Sequence, residues 1–463
     1  MIGWEAQPLF GIRSLDPSQR GTRFRLFPQP PFGSPIAAET IWVSSPVGSV
    51  GPGPGDARMY AIDPLGEKTP YGMIRSAYGT PFAYFPPWRG PIAPPVLPDR
   101  DGHFDYLEPG MPGFEIAHLF GCVRFTLDVW EGYFGRPVPW HFRAEYDRLE
   151  LTSLPGFTNA QAGYGFLEVG RYVTESGAAA PFSLNFDIIA HEVGHLIIYS
   201  ELGEPTAATA IGEYYGFHES AADLVALIAA AHFDSVIDSL LERTRGNLYV
   251  VNLLNRMGEI SDNEQIRMVS NSVRLAVFAN GWRGEHDLSL PLTGAVFDIW
   301  VDIFHESLLE RSLISPEVED LADRVERLPE YEGLIQSLFD QAYGQDPAAF
   351  KQALLEARDY LGRALAHAWG RLSPDYLNYS DVAGALLEAD RLLSGGRYQR
   401  LIARNFARRD IGRIAVGPRL TPPSSESHAF SARTLTPGAT PRLPRMSYRE
   451  RWLAARRWHV VPP

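Results

Sequence analysis

The segment Phe186–His195, with the sequence FDIIAHEVGH, constrains this chain more than any other, because it places two histidines and a glutamate on one predicted helix. His191 and His195 are four residues apart, so both imidazoles leave the same helix face about one turn apart. Two ring nitrogens in this arrangement can bind one Zn²⁺ at roughly 2.0–2.1 Å. Glu192 points about 100° around the helix from His191, where it can meet a bound water without ligating the metal.

The residues around this HExxH motif favour a buried helix over a chance match. Ser183 or Asn185 can cap its start, and Gly203 can end it. A buried helix carrying His-Glu-His would leave polar groups unsatisfied unless something binds them. Most other positions are apolar: Phe186, Ile188, Ile189, Val193, Leu196, Ile197 and Ile198.

A third metal ligand is predicted at Glu219, at the start of a second apolar helix. A catalytic zinc needs three protein ligands and an open fourth position. Asp223 lies four residues after Glu219, hence on the same face, and can accept the free N–H of a ligating histidine. One alternative is an acidic helix start that complements the macrodipole. His218 is a competing ligand candidate.

The order HExxH, Glu219, Asp223 resembles that of the gluzincin metallopeptidases, and further segments are similar to the thermolysin family. Residues 181–191 resemble that family's approach to its active-site helix, with Phe182 near the start and Asp187 one turn before the first ligand. Together the similar segments cover roughly residues 100–305.

Two more positions follow from the resemblance. Asn159 and Ala160 match a pair that lies on an edge strand and holds the substrate backbone in that family. His286, in the segment Gly284–Trp300, matches the distal catalytic histidine.

The chain also departs from the family pattern. Tyr214 and Tyr215 are both candidates for the tyrosine that donates to the oxyanion, because the local spacing differs. Gly281 stands where an acidic partner of His286 is expected, so Glu285 or Asp287 could substitute. The substrate-binding arginine has four candidates: Arg256, Arg267, Arg274 and Arg283.

The resemblance implies hydrolysis of internal peptide bonds by zinc-activated water, with Glu192 as general base. His286 and a tyrosine hydroxyl would stabilise the oxyanion. A gluzincin aminopeptidase is an alternative, although no Gly-x-Met-Glu-Asn segment occurs. An assembly or interaction component built on a gluzincin fold is another, but the intact Glu192 argues against a scaffold that needs only metal ligands.

The expected architecture is α+β: a thermolysin-like two-lobe metallopeptidase with a β-containing N-terminal lobe and a mainly α-helical C-terminal lobe, and the HExxH helix between them. We expect a Pro/Gly-rich region wrapping the catalytic unit at 1–100, the β-containing lobe at 101–200, the helical lobe at 201–414 and an extended basic tail with a short terminal helix at 415–463. Predicted helices span 113–135, 185–202, 217–232, 234–243, 265–280, 292–312, 317–343, 347–371, 378–394 and 397–410.

A second metal is a weaker expectation. The segment Asp99–Asp105 holds oxygen ligands and a glycine, as a calcium loop does. A simple Asp-Gly turn is favoured, because the downstream carboxylate spacing of such a loop is missing.

Composition excludes several classes of partner. The net charge of −13 argues against nucleic acid. No run approaches the ~18 apolar residues needed to span a bilayer. The amino terminus lacks the basic and apolar stretches of a secretory signal, so we expect a cytoplasmic protein or export by a non-classical route. The single cysteine, Cys122, lies in an apolar run and is expected to be a buried structural thiol.

Charge is distributed unevenly along the chain. Residues 397–463 contain 14 arginines and three carboxylates, a charge of +11, which leaves −24 for residues 1–396. Residues 418–444 are typical of an extended linker, and 448–459 of a short amphipathic helix with aromatic anchors. Composition favours a tail that packs on the chain's own acidic surface. The alternative is a docking segment for a protein partner, beside the peptide or protein substrate expected at the zinc site.

Overall fold

The computed structural model describes residues 21–31, 36–66, 86–173, 179–206, 208–248, 269–318 and 331–420, together with the backbone of 74–75, 81–82, 256–261 and 264–268. The fold mixes α-helices with small β-sheets, and about 50% of the chain is helical. The expected combination of α and β structure is confirmed at this level. The predicted linker and terminal helix, at 418–444 and 448–459, lie almost entirely outside the described residues.

The strands are short and most of them lie before the HExxH segment. They are β1 Arg23–Leu26, β2 Glu39–Trp42, β3 Met59–Ile62, β4 Ile74–Arg75, β5 Pro81–Phe82, β6 Leu149–Ser153, β7 Ala160–Ala162, β8 Phe166–Val169, β9 Arg171–Val173, β10 Ala179–Pro181, β11 Arg256–Ser261 and β12 Glu264–Met268. The largest described sheet has the order β3-β6-β8-β7. In it β3, β6 and β8 are parallel, and β7 runs antiparallel to β8 as an outer strand.

The helices dominate the second half of the chain. They are α1 Phe114–Phe134, α2 Phe186–Glu201, α3 Gly212–Ala230, α4 Asp234–Thr244, α5 Glu285–Glu310, α6 Glu332–Gln345, α7 Pro347–Trp369, α8 Tyr379–Ser394 and α9 Gln399–Arg408. Most described helices match the predicted spans to within about two residues at each end. The exceptions are α3, α5, α6 and the segment 265–280.

The core is continuous from the N-terminal strands to the helices. Strand β1 packs on α1, where a Cβ on Gly121 would lie 2.7 Å from Leu26 Cδ2 and 3.0 Å from Phe24 Cβ. Helix α2 contacts α1, α3 and the strands β7 and β8. Cys122 is buried on α1, as expected, and burial raises the pKa of its thiol well above the usual value. The HExxH helix is therefore held on several sides by other elements.

The predicted helix over 265–280 is wrong. Residues 264–268 form the second strand of a hairpin with β11, and only Leu275–Phe278 form a single 3-10 turn. The side chain of Asn271 accepts a hydrogen bond from the Val273 N–H at 3.0 Å and donates to Val269 O at 3.1 Å. This local pairing gives the backbone an alternative to a helix, which the apolar periodicity did not reveal.

Two helices begin earlier than predicted. Helix α5 starts at Glu285, seven residues before the predicted start at 292, and contains Pro291. Leu288 O accepts from the Tyr379 hydroxyl at 2.6 Å, and Leu290 O accepts from Asn271 at 3.0 Å, so side chains satisfy carbonyls around the proline. Helix α3 starts at Gly212 and not at 217, which places both candidate tyrosines inside it.

Helix α5 is also the one described helix that is long and apolar enough to cross a membrane by length and composition. In the folded chain, 89% of its most apolar window is buried inside the protein. This burial is what the core helix of a globular domain shows.

Candidate metal centre

Helix α2 presents the HExxH motif as the sequence predicts. Its start is capped by Asn185, whose side chain accepts from the Ile188 N–H at 3.2 Å, so Asn185 and not Ser183 is the cap. After the helix, Gly203 adopts φ +81° and its N–H bonds to Tyr199 O at 3.1 Å. His191 and Glu192 are buried within this helix.

Gly194, inside the motif, allows α3 to approach α2 closely. A Cβ at this position would lie 2.6 Å from Ala222 Cα and 3.1 Å from the Ala222 carbonyl oxygen. Only a residue without a side chain fits this crossing. The crossing places Glu219 and Asp223 of α3 opposite the two histidines of α2.

His191, His195 and Glu219 form a compact group of potential ligands. Their candidate ligand atoms all lie within 4.8 Å of one another. His191 Nε2 is 3.4 Å from Glu219 Oε2, and His195 Nε2 is 3.8 Å from Glu219 Oε1. A tetrahedral zinc with bonds of 2.0–2.2 Å separates its ligands by about 3.4 Å. Two imidazoles and a carboxylate at these spacings fit a zinc ion.

The electrostatics of Glu219 suit a ligand. Burial alone would raise the pKa of this carboxyl, but the neighbouring His195, His191 and His286 outweigh it and hold the pKa well below the usual value. Glu219 is therefore anionic at neutral pH, the form that a metal ligand must have.

Asp223 lies beside the first histidine. Its Oδ1 is 2.9 Å from His191 Nδ1, and the other ring nitrogen of His191, Nε2, faces Glu219. This is the position that the resemblance implies for Asp223. Asp187 is buried in the first turn of α2, one turn before His191.

His218 contacts the second histidine instead of joining the ligand group. Its Nδ1 lies 2.7 Å from His195 Nδ1, and the two rings are nearly parallel, with an interplanar angle of 15° and 4.8 Å between their centres. Nitrogens at this distance require one donor and one acceptor. Because His195 Nε2 faces Glu219, we assign the proton to His195 Nδ1, which donates to His218. Burial lowers the pKa of His218 to about 4, so this imidazole is neutral.

A fourth imidazole, His141, was missed by sequence reasoning. Its ring lies 5.1 Å from the Tyr199 ring, and His218 lies 4.3 Å from the same tyrosine. Burial lowers the pKa of His141 to about 3. His141 is about 50 residues before the motif, and nothing in its local sequence indicates this position.

His286 joins the site from the first turn of α5. Its Nδ1 is 2.7 Å from Glu219 Oε2, and its side chain is 59% exposed. The structure thus brings the predicted distal histidine to the ligand group. Glu285, one of its two proposed acidic partners, instead pairs with Arg419 at 2.9 Å.

The two candidate tyrosines differ in environment. Tyr214 is 3% exposed, and its hydroxyl donates to Gly203 O at 2.9 Å. Tyr215 is 38% exposed and lies four residues before Glu219, hence on the same helix face. Tyr214 is therefore buried with its hydroxyl bonded to the backbone, whereas Tyr215 is open to solvent.

Asn159 and Ala160 lie where an extended peptide could bind. Ala160 begins β7, the outer strand of the largest described sheet, and Asn159 precedes it. Asn159 O accepts from Gly170 N–H at 2.9 Å, which ties this end of the strand to the sheet. Strand β7 packs against α2. An outer strand beside the motif can pair with a substrate backbone.

The candidate arginines are not equivalent. Arg274 pairs with Asp410 at 2.5 Å, and Arg283 is exposed three residues before His286. The side chains of Arg256 and Arg267 lie outside the described residues.

The segment Asp99–Asp105 forms a tight turn. Asp99 Oδ1 accepts from the N–H groups of Asp101 and His103 at 2.9 and 2.8 Å, and Gly102 adopts φ +84°. Asp105 pairs with Arg23 at 2.9 Å. These contacts are those of the Asp-Gly turn that the sequence favoured over a calcium loop.

Comparison with known proteins adds no family. No protein-family model matches the chain, and no curated protein matches it significantly.

Proposed function

We propose that this chain is a zinc-dependent metalloendopeptidase of the gluzincin type. The observation that carries the proposal is the group of His191, His195 and Glu219, whose ligand atoms lie within 4.8 Å of one another. Two histidines and a glutamate are the ligand set of a catalytic zinc that keeps one position open. With it we propose the thermolysin-like two-lobe architecture, since α2 lies between the strand β7 and the helix α3.

The chemistry follows from the donors around this group. Bound zinc would supply a water of lowered pKa and polarise the scissile carbonyl. Glu192, adjacent to His191 and outside the ligand group, would take the proton of that water and pass it to the leaving amine. His286 and Tyr215 would donate to the oxyanion, and each such donor is typically worth about 10²–10³ in rate. Asn159 and Ala160 would hold the substrate backbone.

The test replaces Glu192 with glutamine, which has the same shape but cannot act as a base. We expect Glu192→Gln to bind zinc as the wild type does and to lose hydrolysis of an internally quenched peptide by at least about 10²-fold, the lower range for a positioned base. A control is Glu242→Gln, at an exposed position on α4 and outside the ligand group, which should keep full activity.

The same assay separates the alternative functions. An aminopeptidase would cleave a peptide with a free amino terminus and leave one with a blocked terminus intact. An assembly component would bind zinc and cleave neither. Full turnover by Glu192→Gln would reject the proposed mechanism.

A further inference from the structure

The last described residues, Val416–Leu420, form a strap across the loop that leads to His286. We call them the C-terminal strap. Gly417 N–H bonds to Phe278 O at 2.9 Å, Trp282 N–H bonds to Pro418 O at 3.3 Å, and Leu420 N–H bonds to Trp282 O at 2.7 Å. The strap is therefore part of the folded body, although composition grouped it with the tail.

Side chains reinforce this attachment at the start of α5. Arg419 Nη2 lies 2.9 Å from Glu285 Oε1, and its guanidinium sits 4.8 Å from the centre of the Trp282 ring. Glu285 directly precedes His286. An ion pair and a cation–π contact made by one rigid guanidinium fix its orientation better than either contact alone.

Trp282 connects the strap to α3. Its indole lies against the first turn of that helix, where a Cβ on Gly212 would be 2.3 Å from Trp282 Nε1. The Tyr215 ring lies 6.2 Å from the Trp282 ring. Glu213, in the same turn, accepts from the backbone N–H of Tyr379 at 2.5 Å and from that of Val416. His286 and Tyr215, the two proposed oxyanion donors, are therefore next to residues that the strap contacts. His286 follows Glu285, and the Tyr215 ring lies near Trp282.

The strap and the loop leave no space between them. A Cβ on Gly417 would lie 2.4 Å from Gly281 N and 2.5 Å from Ala279 O. Gly281 itself adopts φ +129° beneath the Leu420 side chain. A displacement of the strap would therefore move the loop, because neither side has room to adjust independently.

We infer that Arg419 is a positioning residue for His286, acting through Glu285 and Trp282 without touching the substrate. This inference rests on the proposed function, in which His286 and Tyr215 donate to the oxyanion. On this inference, the C-terminal strap is a structural part of the catalytic site.

Two substitutions in the full-length chain test the inference. Arg419→Ala should lower kcat about tenfold with zinc content unchanged, and Arg419→Lys, which retains the charge beside Glu285, should recover part of the loss. These magnitudes lie below the ~10²–10³ of a removed donor, because the donor remains present but misplaced.

A double-mutant cycle separates positioning from general stabilisation. If Arg419 acts through His286, Arg419→Ala should have little further effect in the His286→Ala protein. Fully additive losses, or wild-type kcat in Arg419→Ala, would overturn the inference.

A measurement that needs no catalytic turnover separates a failure of the positioning role of Arg419 from a failure of the proposed peptidase function. In metal-free protein labelled with ¹³C-histidine, the ring signal assigned to His286 should shift in Arg419→Ala and remain in place in Arg413→Ala, at an exposed position just before the strap. An unmoved signal in Arg419→Ala rejects the positioning role. A moved signal in a protein that cleaves no peptide supports that role while rejecting the peptidase.

Discussion

The contact between His195 and His218 is an unusual way to support a histidine that we propose as a metal ligand. Ligating histidines generally donate their second N–H to a carboxylate, a backbone carbonyl or water. Here a neutral imidazole accepts it, at 2.7 Å between the two Nδ1 atoms. His191 has the more common partner, the carboxylate of Asp223 at 2.9 Å. The two ligands should therefore differ in basicity.

Replacing His218 tests this support. His218→Leu removes the acceptor and leaves His195 free to rotate, so we expect zinc affinity to fall about 10–100-fold, the usual cost of losing such a partner. His218→Asn offers an amide oxygen to the same N–H and should recover part of the affinity. Competition with a chromophoric chelator measures both.

The control for His218 is His367→Leu, at an exposed position on α7. It should leave zinc affinity unchanged. Equal affinity in His218→Leu and the wild type would show that His218 does not orient the ligand.

At the scale of elements, His118 joins three parts of the chain. On α1, its Nδ1 lies 2.7 Å from Ser183 O in the turn before α2, and its Nε2 accepts from Phe27 N–H at 2.9 Å. The proton must therefore be on Nδ1. Burial lowers the pKa of His118 to about 4, so the folded protein keeps this imidazole neutral.

The pKa of His118 predicts acid sensitivity of the fold. In the unfolded chain His118 binds a proton below about pH 6.5, whereas in the folded chain it binds one only near pH 4. The contribution of His118 to stability is therefore fully present above pH 6.5 and is lost as the pH falls from 6.5 to 4. At 1.36 kcal/mol per pKa unit, the loss is about 3 kcal/mol. Urea unfolding of metal-free protein at several pH values measures it.

A variant that cannot titrate isolates this effect. His118→Gln should be less stable than the wild type at pH 7, yet its free energy of unfolding should fall less steeply between pH 6.5 and 4. His367→Gln, at the exposed position on α7, should retain the wild-type slope. An unchanged slope in His118→Gln would contradict the assignment.

The crossing of α2 and α3 gives a prediction for the metal site as a whole. In Gly194→Ala the new Cβ would meet Ala222 Cα at 2.6 Å, and backbone cannot move aside cheaply. We expect α3 to shift and zinc to be lost, with a destabilisation of about 1–3 kcal/mol, as for overpacked cores. Zinc content and thermal unfolding measure the two effects.

The matched control is Gly384→Ala in α8, where a Cβ would meet nothing within 4 Å. It should bind zinc normally and be as stable as the wild type or slightly more stable, since alanine favours a helix. Normal zinc binding by Gly194→Ala would mean that the close crossing is not needed for the site.

At the scale of the whole molecule, the sequence predicted what depends on local pattern. The motif helix was expected at 185–202 and spans Phe186–Glu201, and the helices expected at 347–371 and 378–394 span Pro347–Trp369 and Tyr379–Ser394. Apolar periodicity and capping residues in the sequence predict where these helices begin and end. The pairing of Asp223 with His191 could also be predicted, because both positions belong to one recognisable spacing.

The features that the sequence did not predict depend on contacts between distant segments. His141 approaches His218, and Arg419 reaches Glu285, across separations of many tens of residues that no local pattern records. Likewise, Tyr379 and Asn271 donate to the carbonyls of Leu288 and Leu290 on either side of Pro291 in α5, from distant parts of the chain. Tertiary contacts override local preference at each of these places.

The central claim is that His191, His195 and Glu219 hold one zinc ion, and anomalous diffraction at the zinc absorption edge tests it most directly. Crystals of protein given equimolar zinc should show one strong peak bonded to His191 Nε2, His195 Nε2 and a Glu219 oxygen at about 2.0–2.2 Å. No peak at this position, or an undiminished peak there in His195→Ala, would contradict the account.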